Sequence, residues 1–145
     1  MAKTPVHIFV VENNKLFNNM LEYIFTKDTA YRFIDFNSGE DCIKNLHLEP
    51  DIILLDHQLP GINGHQTLLK IRKHSPNTRV LMITDENDKQ HHETMKSAGA
   101  CECLVKSNGV EQIVQKLDHY LLAHEKSIMD DESRTKPSLK NLKYL

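Results

Sequence analysis

The chain lacks any apolar run long enough for a bilayer, any excess of positive charge and any paired-cysteine pattern. Its apolar stretches fall far short of the ~20 residues a membrane helix needs. The amino-terminal Met-Ala-Lys-Thr-Pro lacks the apolar stretch of a secretory signal. A cytoplasmic protein with no membrane partner is therefore expected. A formal net charge of -2 argues against a general nucleic-acid binder, whose footprint is a basic excess. The cysteines Cys42, Cys101 and Cys103 show no Cys-x-x-Cys spacing, which fits reduced, buried thiols rather than a disulfide framework. Histidines are numerous but scattered, and the neighbours His91 and His92 point different ways on a helix, so no structural metal site is expected. No internal repeat stands out. At 145 residues, 39% hydrophobic and 26% charged, the chain suits one globular domain with some tail.

What is present is an alternation. His7 to Val11, Arg32 to Phe36, Ile52 to Leu55, Val80 to Ile83 and Cys101 to Val105 are short apolar runs that read as strands. Between them lie segments of helical spacing. Leu16, Met20 and Ile24, with Phe17 and Leu21, mark one apolar face at i, i+4 intervals. Cys42, Ile43 and Leu46 form a shorter face behind Ser38 and Asp41, which occupy capping-box-like positions. Leu68, Leu69 and Ile71 follow a Pro-Gly turn, and the polar span from Asp85 to Ala98 has only Met95 and Ala98 as anchors. Val110, Ile113, Val114, Leu117 and Leu121 make the clearest stripe, opened by Asn108 with Glu111 three residues on. Five strands alternating with helices imply an α/β doubly wound parallel sheet with helices on both faces. The expected strand order is the flavodoxin-like 2-1-3-4-5. The pattern stops near Lys126, so residues 1–126 read as the domain and 127–145 as a helix end with a flexible tail.

The most informative stretch runs from Pro50 to Gly61, where four large apolar residues lead straight into Asp56 and then a Leu-Pro-Gly turn. Such a run reads as a strand buried on both faces, with Asp56 at its carboxyl end. Glu12 and Asn13 end the first strand, Thr84 the fourth and Lys106 the fifth. In this topology all of them converge at the carboxyl edge of the sheet, where open α/β folds bind ligands. Their chemistry is complementary. Glu12, Asp56 and the Asn13 amide offer hard oxygen ligands for Mg²⁺. Asp56 is a nucleophile toward an activated phosphoryl group, and Lys106 and Thr84 suit phosphoryl oxygens.

Val10-Val11-Glu12-Asn13, Pro50 to Gly64 around Asp56, Val80 to Thr84, and Gly99-Ala100 through Lys106 resemble the response-regulator receiver domain of bacterial two-component signalling, over about residues 6 to 125. The resemblance implies that Asp56 is the phospho-acceptor and that Thr84 and Lys106 bind the phosphoryl group. It also implies that Glu12, Asn13, Asp56 and the backbone carbonyl of Gln58 hold Mg²⁺. The donor would be a phosphohistidine on a sensor histidine kinase or phosphotransfer protein, and the output contact with a downstream protein. Gln58 and Glu86, two residues beyond Asp56 and Thr84, would tune the lifetime of the acyl phosphate by screening it from water. Such a module is no conventional enzyme, although it assists its own phosphotransfer and dephosphorylation.

The chain departs from the family pattern at four positions. Asn13 replaces one of the usual acidic pair. A unit charge about 4 Å away is worth on the order of 4 kcal/mol at an effective dielectric of about 20. Hydration offsets most of this, so Mg²⁺ binding should weaken without vanishing. Ser107 replaces the proline that makes a cis bond with the lysine. A cis bond to a non-proline costs roughly 2.5–4 kcal/mol, so a trans Lys106-Ser107 bond is expected. Asp85 replaces a small residue and adds a carboxylate at the pocket mouth. Cys103 stands at the aromatic switch position, which in the family follows the movement of Thr84's counterpart. A cysteine is too small to transmit that swing by bulk. The surface formed by the fourth helix, fifth strand and fifth helix is thus expected to change less than in the usual family member, and rearrangement to concentrate in the loops His57 to Gly61 and Asp85 to Asp88.

Asn13, Ser107 and Cys103 also fit an alternative, a receiver-fold interaction module that works without phosphorylation. A haloacid-dehalogenase-like phosphohydrolase would need a second Asp where Gln58 stands. A flavodoxin would need a Ser/Thr/Gly-rich phosphate loop after the first strand.

Overall fold

The computed structural model describes residues 5–27 and 31–129, with side chains described as far as residue 121. Five strands, β1 (Val6–Val11), β2 (Tyr31–Phe36), β3 (Ile52–Asp56), β4 (Arg79–Thr84) and β5 (Glu102–Val105), alternate with five helices. These are α1 (Lys15–Phe25), α2 (Gly39–Lys44), α3 (Gly64–His74), α4 (Lys89–Ser97) and α5 (Val110–Met129). The sheet is wholly parallel, in the order β2-β1-β3-β4-β5. Order and layers agree with the alternation in the sequence.

The central strand explains the burial pattern. All of β3 is buried because helices cover both faces of the sheet. Ile8, Val10, Leu54, Leu81 and Leu104 pack with Leu21, Ile24 and Phe25 of α1 and Ile113, Val114, Leu117 and Leu121 of α5. On the other face Phe9, Val11, Ile53, Leu55, Val80, Met82 and Cys103 meet Cys42, Leu68, Ile71 and Met95 from α2, α3 and α4. Each fully buried Ile, Leu or Phe is worth about 1.5–3 kcal/mol relative to exposure. The strands are consequently fixed in register, and so are the residues at their ends.

Two expected faces need correction. Leu16 and Met20 are 77% and 48% exposed, not part of the α1 core face. The buried positions of α1 are Asn18, Leu21, Ile24 and Phe25, with Phe17 partly buried beside them. In α3, Gly64, Thr67, Leu68 and Ile71 face inward, and Leu69 is exposed because it sits about 100° round the helix from Leu68. Smaller differences occur at the ends. A 3₁₀ turn over Lys106–Asn108 and then Gly109 precede α5, so Asn108 does not open that helix directly. Strand β5 begins at Glu102, one residue after Cys101. The Lys106-Ser107 bond is trans, as expected. Of the expected tail, residues 130–145 lie outside the described residues.

Candidate functional site

The site is built where β1, β3, β4 and β5 end. Asp56 is the last residue of β3 and is 4% exposed. Glu12 follows β1 directly, and its carboxylate is oriented by its own loop. Its Oε2 accepts the Asn14 N–H at 3.0 Å, while Asn14 caps α1 by accepting from the Phe17 N–H at 3.1 Å. From one turn inside α1, the buried Asn18 donates from Nδ2 to the Glu12 carbonyl at 2.8 Å. Asn18 was not legible as a site residue. The available signal was its place at i+4 from the cap, on the face that carries Leu21.

Lys106 joins the two carboxylates. Its Nζ lies 3.2 Å from Asp56 Oδ2 and forms a tight ion pair with Glu12 Oε1. The Phe17 ring lies below it, 5.3 Å from ring centroid to Nζ, within the range of a cation–π contact. Asp56 Oδ1 also accepts the Gln58 N–H at 3.3 Å. Burial pushes the Asp56 carboxyl up to about 7, and the neighbouring Glu12 adds to this through a hydrogen bond and its charge. Lys106 and the Gln58 N–H oppose the rise. For Lys106, burial alone would lower the pKa, but Glu12 and Asp56 more than offset it and hold the ammonium above its ordinary range. Two carboxylates here share one cation. With both carboxylates ionised, the metal-free pocket would carry one excess negative charge, which is why it favours a proton or a cation there.

The other expected residues take several positions around this triad. Thr84 ends β4, is 1% exposed, and its Oγ1 accepts the Glu86 N–H at 3.1 Å. Asn13 and Gln58 line one open recess of about 570 Å³ together with His57, Leu59, Pro60 and Asn63. Asp85 and Glu86 are exposed in the loop that precedes α4. Cys103 is buried in the α4-side core, where desolvation pushes its thiol up to about 11. It packs in the core two residues before the end of β5, and a raised pKa disfavours its thiolate form.

The donor set fits Mg²⁺. Glu12 Oε1 is buried and, apart from the Lys106 ion pair, has no hydrogen-bond partner among the described residues. That ion usually takes one or two carboxylates and fills its shell with neutral oxygens and water. Glu12 and Asp56 would supply the carboxylates, and the Asn13 amide and Gln58 carbonyl, whose residues line the recess described above, would add neutral oxygens. Among the described residues no group of three or more His, Cys, Asp or Glu is arranged to hold a metal.

Gly64 is what lets α3 start so close to the acceptor. A Cβ there would lie 2.3 Å from the Asp56 carbonyl oxygen and 2.6 Å from the His57 Cα, both backbone atoms that cannot turn away. Gly64→Ala should cost about 2–3 kcal/mol through this overlap. Urea unfolding at neutral pH measures it. A loss below about 0.5 kcal/mol would show that α3 slides freely.

The family model for the response regulator receiver domain matches residues 8–118. Response regulator GacA of Pseudomonas aeruginosa is 32% identical over 80 residues, covering 54% of this chain and 37% of that protein. Protein-glutamate methylesterase/protein-glutamine glutaminase 2 of Paramagnetospirillum magneticum is 30% identical over 112 residues, covering 74% of this chain and 32% of that protein. The chain thus spans about a third of the length of these relatives. In fold, it is similar to a chain from the CheX-CheY-BeF3-Mg complex of Borrelia burgdorferi. The TM-score is 0.73 at 24% identity, with 81% of this chain and 90% of the other covered.

Proposed function

The chain belongs to the response regulator receiver domain family, and from that premise we propose that it accepts a phosphoryl group on Asp56 from a phosphohistidine. The donor is a sensor histidine kinase or phosphotransfer protein in the cytoplasm, and the phosphorylated state is passed on by docking to a downstream protein. Among the described residues no helix is long and apolar enough to cross a membrane. The observation that carries this reading is the Asp56 carboxylate, buried at a strand end, 3.2 Å from the Lys106 ammonium and beside Glu12.

In the transfer, an oxygen of ionised Asp56 attacks phosphorus in line and the new O–P bond forms. The N–P bond of the donor breaks, and its imidazole leaves with the electron pair. The Lys106 ammonium and the Thr84 hydroxyl donate hydrogen bonds to the phosphoryl oxygens as charge gathers on them. Glu12, Asn13, Asp56 and the Gln58 carbonyl would hold Mg²⁺. When bound, the ion supplies charge neutralisation and favours the ionised form of Asp56. Gln58 and Glu86 sit in the flanking loops, where they screen the acyl phosphate from water and set its lifetime. The chemistry is stoichiometric rather than catalytic turnover, although the same groups assist loss of the phosphoryl group.

Acetyl phosphate with Mg²⁺ should add one phosphoryl group by mass spectrometry, and Asp56→Asn should abolish it. Full labelling of Asp56→Asn would overturn the assignment. Mg²⁺ binding should be weak because Asn13 carries no charge. Asn13→Asp should tighten it about tenfold, equivalent to ~1.4 kcal/mol, and should lower the stability of the metal-free protein by adding repulsion. Superimposable Mg²⁺ titrations of the two proteins would place Asn13 outside the metal shell.

A further inference from the structure

We propose that phosphorylation at Asp56 is communicated to α4 through a bracket formed by Glu86, His91 and His92, which bypasses the β5 position occupied by Cys103. The proposal rests on the phospho-accepting reading of Asp56 and adds to it the route by which the state leaves the site.

Glu86 is the hub. Its N–H is held by Thr84 Oγ1 at 3.1 Å, on the hydroxyl that is to engage the phosphoryl group. Its carbonyl oxygen lies 2.9 Å from His92 Nε2, and its carboxylate lies 3.6 Å from His91 Nδ1. One loop residue thus ties the phosphoryl-binding hydroxyl to the first turns of α4 at two points. Rotation of Thr84 about χ1 toward a phosphoryl oxygen carries its hydroxyl off the Glu86 N–H. The exposed loop 85–88 then has to reorganise, and both histidine contacts move with it.

The far side of the bracket is anchored. The His91 side chain is 11% exposed and sits edge-on against His57, with ring centroids 4.4 Å apart at 83°. His57 follows Asp56 directly and is fixed at its backbone. Its N–H donates to the Ile83 carbonyl at 2.9 Å, and its carbonyl accepts the Gly64 N–H at 2.9 Å. His57 Nδ1 and His91 Nε2 are both buried and have no hydrogen-bond partner among the described residues. The ring contact therefore holds by packing alone while two polar atoms are desolvated, an arrangement that small displacements can break.

The helix itself is easy to move. Met95 is the one buried residue of α4, so little apolar packing resists a shift of its amino-terminal end. At the alternative exit, Cys103 is small and fixed in the core, with no ring to swing. The bracket is a contiguous set of contacts from Thr84 to α4, and the relay requires that it take a second arrangement once Asp56 is phosphorylated.

Hydrogen exchange across α4, with and without Mg²⁺ and beryllofluoride, tests this in the wild-type chain and in the His91→Phe/His92→Phe variant. Beryllofluoride occupancy is followed in parallel by fluorine NMR. In the wild type, α4 amides should change exchange rate by about tenfold. In the double variant, occupancy and the response of the Thr84 to Asp88 loop should be retained. Its α4 response should fall below about threefold. An α4 response equal to the wild type would overturn the relay. Should the double variant fail to fold, His91→Leu/His92→Leu, which also removes both contacts to Glu86, decides by the same criterion. Absence of a bound-beryllofluoride signal in the wild type would overturn the phospho-accepting reading itself, and with it the relay.

Discussion

Asp56→Asn should make the metal-free protein more stable at pH 8 and leave it nearly unchanged at pH 4. The reason is the direction of the Asp56 shift, from 3.8 to about 7, caused first by burial and then by Glu12. Between those values the folded state holds a proton that the unfolded state has released. Stability therefore falls as pH rises through this window, at up to about 1.4 kcal/mol per pH unit. Asparagine stands in for the protonated form and does not titrate. The gap should open from near zero at pH 4 to on the order of 2–4 kcal/mol at pH 8, allowing for the Lys106 contact that the variant gives up. Saturating Mg²⁺ should shrink it, because the ion binds the wild-type carboxylate and offers little to the amide. Urea unfolding across this pH range measures the effect. A wild-type protein more stable than the variant at pH 8 without metal would mean that the Asp56 carboxylate is already well compensated.

Lys106→Met should act in the opposite direction and at least as strongly. Among the described residues Lys106 is the charge that compensates Glu12 and Asp56, and its side chain is 17% exposed. Removing one member of such a buried set leaves the others uncompensated, at a cost of about 3–5 kcal/mol. The lysine, held above its ordinary range, stays charged from pH 5 to pH 8, so it adds no pH dependence of its own there. That dependence comes from the carboxylates. Near pH 5 a shared proton can replace the missing ammonium, whereas at pH 8 it cannot. The loss should thus be clearly larger at pH 8 than at pH 5 in urea unfolding. Equal losses would indicate that Lys106 contributes by packing its stem and not by its charge. The variant should also accept phosphoryl groups more slowly, since a donor to the phosphoryl oxygens is gone.

The sheet was legible because a doubly wound fold buries its strands on both faces, which leaves short uninterrupted apolar runs. Ile52 to Leu55 is the plainest case, and the alternation with helices fixed the layers. The strand-end residues followed from the same logic. Once β1, β3, β4 and β5 are parallel neighbours, Glu12, Asp56, Thr84 and Lys106 must share an edge.

Helix orientation was harder, for a specific reason. Helix α1 carries two overlapping apolar stripes, Leu16-Met20-Tyr23 and Phe17-Leu21-Ile24-Phe25, both at helical spacing. Periodicity does not say which stripe meets the sheet. The second meets the sheet, and in that orientation Asn18 reaches the Glu12 carbonyl and Phe17 lies beneath Lys106. Leu68 and Leu69 pose the same ambiguity on α3. The Glu86, His91 and His57 contacts join residues from separate loops and a helix, so no spacing rule could have paired them. His91 and His92 do point different ways, yet both reach the same Glu86.

The most direct measurement is chemical trapping of the acyl phosphate. After reaction with acetyl phosphate and Mg²⁺, borohydride reduces an aspartyl phosphate to homoserine, which peptide mass spectrometry locates. Homoserine at position 56, lost when Mg²⁺ is chelated before phosphorylation and absent from Asp56→Asn, is the expected result. Homoserine at another aspartate, or no trapped product from a protein shown to be folded, would contradict Asp56 as the phospho-acceptor.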